Sequence, residues 1–326
     1  MKLTIASLIV AIAALAAYAQ APTLQIVTSD PNLPSDLFYG NVKVKPLRVR
    51  PGTNPPQFIT IDDADFFTQE QYIDFLNRMP DSSGFQFWLG QISGCGNNAG
   101  CIAAQRVNTS GAFFLSIEFQ QTGYLVERMY KTAFGDAAQT STIGGSHSIS
   151  APIVRFSQFI PDLKQIGQGV VVLQPGWETV LENNKVSFSQ TFVQRSAFTS
   201  AYPTSMTPTA FVDALFGKAG IALSDPDHAK AINEFGSATD TSNITFRGRA
   251  VRDVAENATL QQNEFNRAFV LMQYSGYLRR DPNGGQDTDY TGYDFWLTKL
   301  NQFNGSFINA EMVKAFIESS EYRGRF

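Results

Sequence analysis

The sequence predicts a mainly α protein made of stacked helical repeats, preceded by a proline-rich extended arm. Three observations carry this expectation. Apolar residues fall at helical spacing from Ile61 onward, one aromatic motif recurs along the chain, and prolines crowd residues 20–60. Composition agrees: 326 residues with 43% hydrophobic and 13% aromatic side chains are enough to bury a core and too apolar for a disordered chain. A net charge of -4 argues against a nucleic-acid binder, which needs a basic face to displace counterions.

The first element is an export signal over residues 1–19. Lys2 precedes an apolar run from Leu3 to Ala17, and Ala17-Tyr18-Ala19 supplies the small residues of a cleavage site. The run falls short of the roughly 20 apolar residues of a membrane span. No Cys follows the cleavage point to take a lipid, and no later stretch is long and apolar enough to cross a membrane. The expected location is extracellular or periplasmic.

Residues 20–60 form the arm. Alternation in Asn41-Val42-Lys43-Val44-Lys45 suggests extended chain, interrupted by prolines such as Pro31, Pro34 and Pro46. From there the pattern turns helical. Phe66, Phe67, Tyr72, Ile73, Leu76 and Met79 approximate one stripe, which Pro80 ends. Phe85, Trp88, Leu89 and Ile92 make a second stripe, and Ala103, Val107, Phe114 and Ile117 a third. Stretches rich in Gly, Ser and Thr at 136–150 and 236–245 read as loops. Cys95 and Cys101 sit in a small polar segment, and an even pair in an exported chain reads as a disulfide. Closing so short a ring stabilises by about 2 kcal/mol. A metal or redox role has less behind it, since no further thiols exist and both histidines are distant in sequence.

The repeats emerge from spacing. Tyr72 to Pro80 matches Tyr274 to Pro282, with Phe67 and Phe269 five residues ahead of each tyrosine. A glycine then precedes Phe-Trp in both, as Gly84…Phe87-Trp88 and Gly292…Phe295-Trp296. Each closes on Phe-x-x-Ser-x-Glu-aromatic, ending at Phe119 and Tyr322. Two degenerate copies lie between. Trp177 marks the middle of one, which closes on Phe192-x-x-Arg195-x-Ala197-Phe198; the other runs from Phe211 to Glu264-Phe265 and has no tryptophan. The resulting boundaries are 61–122, 123–203, 207–265 and 266–326. Trp88, Trp177 and Trp296 would then hold one equivalent position in three copies, flanked by apolar residues at helical spacing, as core side chains. A repeat of this size cannot bury its apolar face alone, so neighbours stack.

These motifs resemble a family known as domain of unknown function 4214, whose pattern is an aromatic helix, L-x-R-x-P-D, a glycine before an aromatic-Trp pair, and S-x-E-F. Residues 65–119 and 266–326 carry it well, and the middle copies weakly. The resemblance implies an all-helical module of exported, multi-repeat bacterial proteins, similar also to the helical domain of phycobilisome linkers, which hold other proteins together. It implies no reaction.

Chemistry-bearing constellations are sparse. His147 follows Gly-Gly-Ser in a loop without strand-turn-helix context, and His228 follows Asp225-Pro226-Asp227; both read as solvated. Asp281, Asn283, Asp287 and Asp289 gather oxygen ligands suited to calcium, although the bidentate glutamate of an EF-hand loop is missing. Arg78 with Glu118, and Arg280 with Glu321, recur together in the outer copies. The expectation is that each arginine pairs with its glutamate and locks two helix ends. Copy two lacks both, having Asp136 and Ala197 at those places. The functional expectation is a non-catalytic structural or interaction module, binding envelope or extracellular proteins or polymers, with no enzyme activity and no cofactor. The alternatives are a secreted hydrolase acting on polysaccharide, which needs a cleft with two carboxylates of separated pKa, and a calcium-dependent adhesin.

Overall fold

The computed structural model describes three strands within residues 24–44, residues 50, 52–55 and 57, and the chain from 59 to 326. The signal expected over residues 1–19 lies outside the described residues. The chain divides into two compact units, Met1–Pro46 and Leu47–Phe326.

In the first unit, β1 (Leu24–Val27), β2 (Asp36–Tyr39) and β3 (Val42–Val44) form an antiparallel sheet in sequence order. Leu24 faces Tyr39 across one pair and Leu37 faces Val44 across the other. The short extended pieces expected in the arm thus pair with one another, because a lone strand leaves its backbone donors and acceptors unpaired. Its expected end at residue 60 is also too late. Arg50 reaches Asp65 at 2.5 Å and Asp63 at 3.3 Å, which fastens the chain around residue 50 to the helical unit.

The second unit is mainly α. Copy one has α1 (Ala64–Gln71), continuing into a wide π-type turn at Tyr72–Leu76, then α2 (Ser82–Ser93), α3 (Ala99–Leu115) and α4 (Ile117–Gln121). Copy two has α5 (Gly123–Phe134), then β4 (Asp136–Ser141) paired with β5 (His147–Pro152), then α6 (Phe156–Gly167), α7 (Trp177–Phe192) and α8 (Ser196–Ala201). Copy three has α9 (Pro208–Ala219), α10 (Pro226–Asn233) and α11 (Ile244–Ala255). Copy four has α12 (Ala258–Met272), a second π-type turn at Gln273–Leu278, α13 (Thr291–Gln302), α14 (Met312–Glu318) and α15 (Ser320–Arg323).

Two expectations change here. The segment 136–150 is a hairpin, with Asp136 opposite Pro152 and Ser141 opposite His147. Gly144 and Gly145 at its tip take φ of +68° and +119°, conformations that L side chains rarely adopt. The boundary at 265/266 falls inside α12. That helix starts where the Asn257 side chain accepts from the Leu260 amide, so Glu264-Phe265 belongs to copy four. Elsewhere the capping residues stand where short polar side chains precede apolar runs: Asp81 accepts from Gly84 N, and Asn98 from Cys101 N. Cys95 and Cys101 are joined in a disulfide across the α2–α3 turn, with Cα atoms 5.6 Å apart.

The outer copies meet through matching positions. Phe75 and Tyr277, each three residues after its repeat's tyrosine, pack edge to face at 5.1 Å, and at positions that do not match, Phe114 stacks on Phe269 at 4.1 Å. At the centre of the unit, every residue of α5 from Gly123 to Ala133 is buried. It brings Glu127 and Lys131 with it. Lys131 lies 2.8 Å from Asp136 and 3.7 Å from Glu264, while Arg267 reaches the same two carboxylates at 2.6 and 2.7 Å. Neither oxygen of Glu127 has a hydrogen-bond partner among the described residues. Burial, aided by the nearby Glu264 carboxylate, raises its pKa well above that of a free glutamate.

Because Glu127 keeps its proton in the folded protein and loses it in the unfolded chain, the folded state binds the extra proton once pH passes the ordinary glutamate range near 4.5. Stability should therefore fall as pH rises from there toward the folded-state value. Glu127→Gln should remove that fall and unfold at higher urea than the parent at pH 8. Urea midpoints at pH 4 and pH 8 check this, and an unchanged difference between parent and variant at the two pH values contradicts it.

Candidate functional site

The π-type turns build the same device twice. Each ends at a non-glycine residue in the left-handed region, Asn77 at φ +51° and Arg279 at φ +55°. That reversal aims the next residue, Arg78 or Arg280, across its own repeat. Arg78 Nε and Nη2 donate to the two oxygens of Glu118 at 2.6 and 2.7 Å; Arg280 does the same to Glu321 at 2.6 and 2.9 Å. The glutamates are presented alike, because Ser116 and Ser319 cap the short closing helices by accepting from Phe119 N and Tyr322 N. Each guanidinium also lies over its repeat's tyrosine near the start of the turn, 5.0 Å from the Tyr72 ring and 5.4 Å from Tyr274. Burial disfavours the charge on Arg78, yet the Glu118 carboxylate more than offsets it and its pKa is raised.

Beside each fork lies a cavity, about 500 Å³ in copy one and about 300 Å³ in copy four. Equivalent residues line both. Tyr72, Trp88 and Phe113 correspond to Tyr274, Trp296 and Phe316, with ring separations of 4.7 and 5.7 Å in the first and 5.1 and 5.8 Å in the second. Gly84 and Gly292 admit the tyrosine hydroxyls, since a Cβ at either place would collide with Oη of Tyr72 or Tyr274. Burial and the Asp81 carboxylate push Tyr72 up to about 12, so its hydroxyl stays protonated at any ordinary pH. Phe87 and Phe295 pack edge-on against the tryptophans at 4.9 Å and remain about half exposed. The copy-one cavity gains a wall from Val172 and Leu173. Leu173 is 87% exposed at φ +74°, a conformation and an exposure that both disfavour leucine.

Several expected site residues are placed differently. The tryptophans are half-buried, so Trp88 and Trp296 form cavity wall where core was expected. Trp177 does not share their position. It opens α7, which matches α3 because both lead through the closing motif into a short helix; the helix matching α2 is α6, which has no tryptophan. Copy two has not lost its ion pair. Arg195, at the serine place of the closing motif, grips Asp162 of α6 at 2.6 and 2.7 Å, with the Tyr130 hydroxyl 2.9 Å away. The polarity is reversed, so a search for Arg followed by Glu misses it, although an arginine in a serine position was a legible signal.

The oxygen ligands of the 281–289 loop turn to separate donors instead of a common centre. Asp281 accepts from Phe156 N at 2.8 Å, Asn283 from Arg155 at 3.0 Å, Asp287 from Arg280 at 2.7 Å and Asp289 from Thr291 N at 2.9 Å. No group of three or more His, Cys, Asp or Glu able to hold a metal occurs among the described residues. His147 is exposed, 3.4 Å from Asp294, and Ser141 donates to that same carboxylate at 2.7 Å. The serine proton is thus directed at the aspartate and not at the imidazole, the wrong order for an activated nucleophile. Two carboxylates in different electrostatic settings do exist, Glu127 and Glu264, but they are 1% and 4% exposed and line none of the described cavities.

No family model, no curated protein and no solved structure matches this chain. The likeness to domain of unknown function 4214 is therefore carried by the motifs alone.

The two forks should differ in strength. Glu118 is nearly buried, whereas Glu321 keeps about a third of its side chain exposed, and the second carboxylate beside Arg280, Asp287, is closer at 2.7 Å than Asp81 is to Arg78 at 3.6 Å. A double-mutant cycle on Arg78→Ala and Glu118→Ala should give a coupling of about 1–3 kcal/mol, and the Arg280→Ala, Glu321→Ala cycle a smaller one. Urea unfolding of the parent, the four single variants and the two double variants measures both; additive effects in the first cycle contradict the assignment.

The glycine contact gives a second test. Gly84→Ala should destabilise by about 1–3 kcal/mol through its collision with Tyr72. Gly90→Ala on the same helix, with nothing near its Cβ direction, should stabilise by up to about 1 kcal/mol. Equal effects at the two positions would show that the tyrosine contact is not under compression.

Proposed function

We propose that the chain is a non-catalytic interaction module, exported from the cell, that holds envelope or extracellular proteins by receiving their apolar side chains in its twin cavities. The motif likeness to domain of unknown function 4214 is part of this reading. One observation carries it: the same residues build the same aromatic-walled cavity in two copies that are about 200 residues apart in sequence and leave a phenylalanine half-exposed at each. A fold needing only a core has no use for either opening. The disulfide is compatible with an oxidising compartment, and no helix among the described residues is long and apolar enough to cross a membrane. Two equivalent cavities on one chain favour a partner that presents two apolar anchors, because the second engagement is then intramolecular.

Ala112 and Ala315 occupy matching, half-buried places in the two linings. Ala112→Trp together with Ala315→Trp should fill both cavities and leave the forks in place. Immobilised parent protein, exposed to envelope extract of the producing cell, should capture proteins that the filled variant does not. Capture of the same set by both overturns the reading, provided circular dichroism shows the variant folded.

A further inference from the structure

The largest described cavity shares no residue with either twin and has a different chemistry. It encloses about 890 Å³ between the first half of α12, the α4–α5 corner and α13. Seven of its twelve lining residues are asparagine or glutamine, which sets its character. Gln261, Gln262, Asn263 and Asn266 come from α12, and Asn301 and Asn304 from the end of α13 and the turn after it. Gln262, Asn263, Asn301 and Asn304 are exposed to solvent. Asn266 donates to Asn301 at 2.8 Å, which fixes one amide pair across the groove. Half-buried Phe265 and Leu297 supply an apolar surface between the amides. The single charged side chain, Arg267, is neutralised by Asp136 and Glu264, and no carboxylate lines the space.

We propose that this groove is a second binding site, one that takes a segment of uncharged polysaccharide. An amide offers two donors and two acceptor positions on one uncharged group. Sugar hydroxyls both donate and accept, so a row of amides can match neighbouring hydroxyls without a net charge on either side. The C–H faces of sugar rings pack against the apolar strip. An anionic polymer or a nucleic acid finds no free cation here, and the affinity for a phosphate backbone comes mainly from Lys and Arg. An extended peptide needs an open sheet edge or side-chain pockets, and this helical wall offers no edge. The volume is at the upper end of the roughly 300–1,000 Å³ of small-ligand sites, which suits an oligosaccharide stretch better than one ring.

Affinity electrophoresis of the whole chain through gels containing dextran, laminarin, soluble starch or galactomannan tests this, with polygalacturonate and alginate as charged counterparts. At least one neutral polymer should retard the protein. The combined variant Gln262→Ala, Asn263→Ala and Asn301→Ala should weaken that retardation at least tenfold, as should Ala258→Trp, which blocks the groove from an exposed position without removing an amide. The Ala112→Trp, Ala315→Trp protein should be retarded like the parent, so this site and the twin cavities fail or succeed separately. Retardation by no neutral polymer, retardation only by the acidic ones, or retardation that survives both groove variants overturns the proposal.

Discussion

A helix buried on every side takes its charged side chains out of water with it, and α5 is such a helix. Its burial is what ties the copies together: Lys131 can be accommodated only because Asp136 opens the hairpin beside it and Glu264 approaches from α12. Arg267 then closes the arrangement by reaching both carboxylates. Breaking a buried set of this kind by removing one partner is strongly destabilising, because the remaining charge stays out of water. The cluster thus holds α5 of copy two, the β-hairpin and α12 of copy four in one register. Glu127 stands beside it without a donor, its charge disfavoured by burial and by the Glu264 carboxylate, and Arg128 of the same helix donates only to the Tyr124 and Gln120 carbonyls.

The outer copies solve a second problem, which is how to hold a cavity open. Apolar walls collapse unless something rigid spans them. In each copy the span is a two-pronged guanidinium–carboxylate pair joining the end of the first helix to the start of the last. The tyrosine beneath it is seated by a glycine that leaves room for the hydroxyl. Copy two spends the same kind of pair differently, with Arg195 and Asp162 in reversed order around Tyr130. The conserved element across these three copies is the geometry of an arginine beside a tyrosine and a carboxylate, independent of which segment donates the charge.

The two kinds of opening on the helical unit are chemically distinct. The twins are aromatic and apolar, flanked by half-exposed phenylalanines. The groove along α12 is lined mainly by amides and carries no uncompensated charge. Apolar anchors gain from leaving water, whereas hydroxyl-rich ligands gain only where each polar group finds a partner. One helical scaffold can therefore present both surfaces without their ligands competing for the same side chains.

What the sequence determined by itself was whatever depends on local periodicity or on a repeated motif. The helical class follows from apolar spacing after Ile61. The matching of the outer copies, and the placing of Arg78 with Glu118 and of Arg280 with Glu321 at helix ends, follow from motifs spaced alike in both. Cys95 and Cys101 are close in the chain, so their proximity was nearly assured. Tertiary structure alone decided what depends on segments distant in sequence. Alternation in residues 24–44 cannot say whether strands pair with one another, since a strand's partner lies outside its own pattern. The reversed pair in copy two was hidden because Asp162 lies 33 residues from Arg195, and the fork works with either sign at either end. The half-burial of Trp88 and Trp296 was hidden for a related reason: helical spacing tells which face is apolar but not whether a neighbour covers it. The amide groove was the least legible of all, because Gln261, Asn266 and Asn301 read as ordinary surface residues until the packing of α12 against α13 brings them to one place.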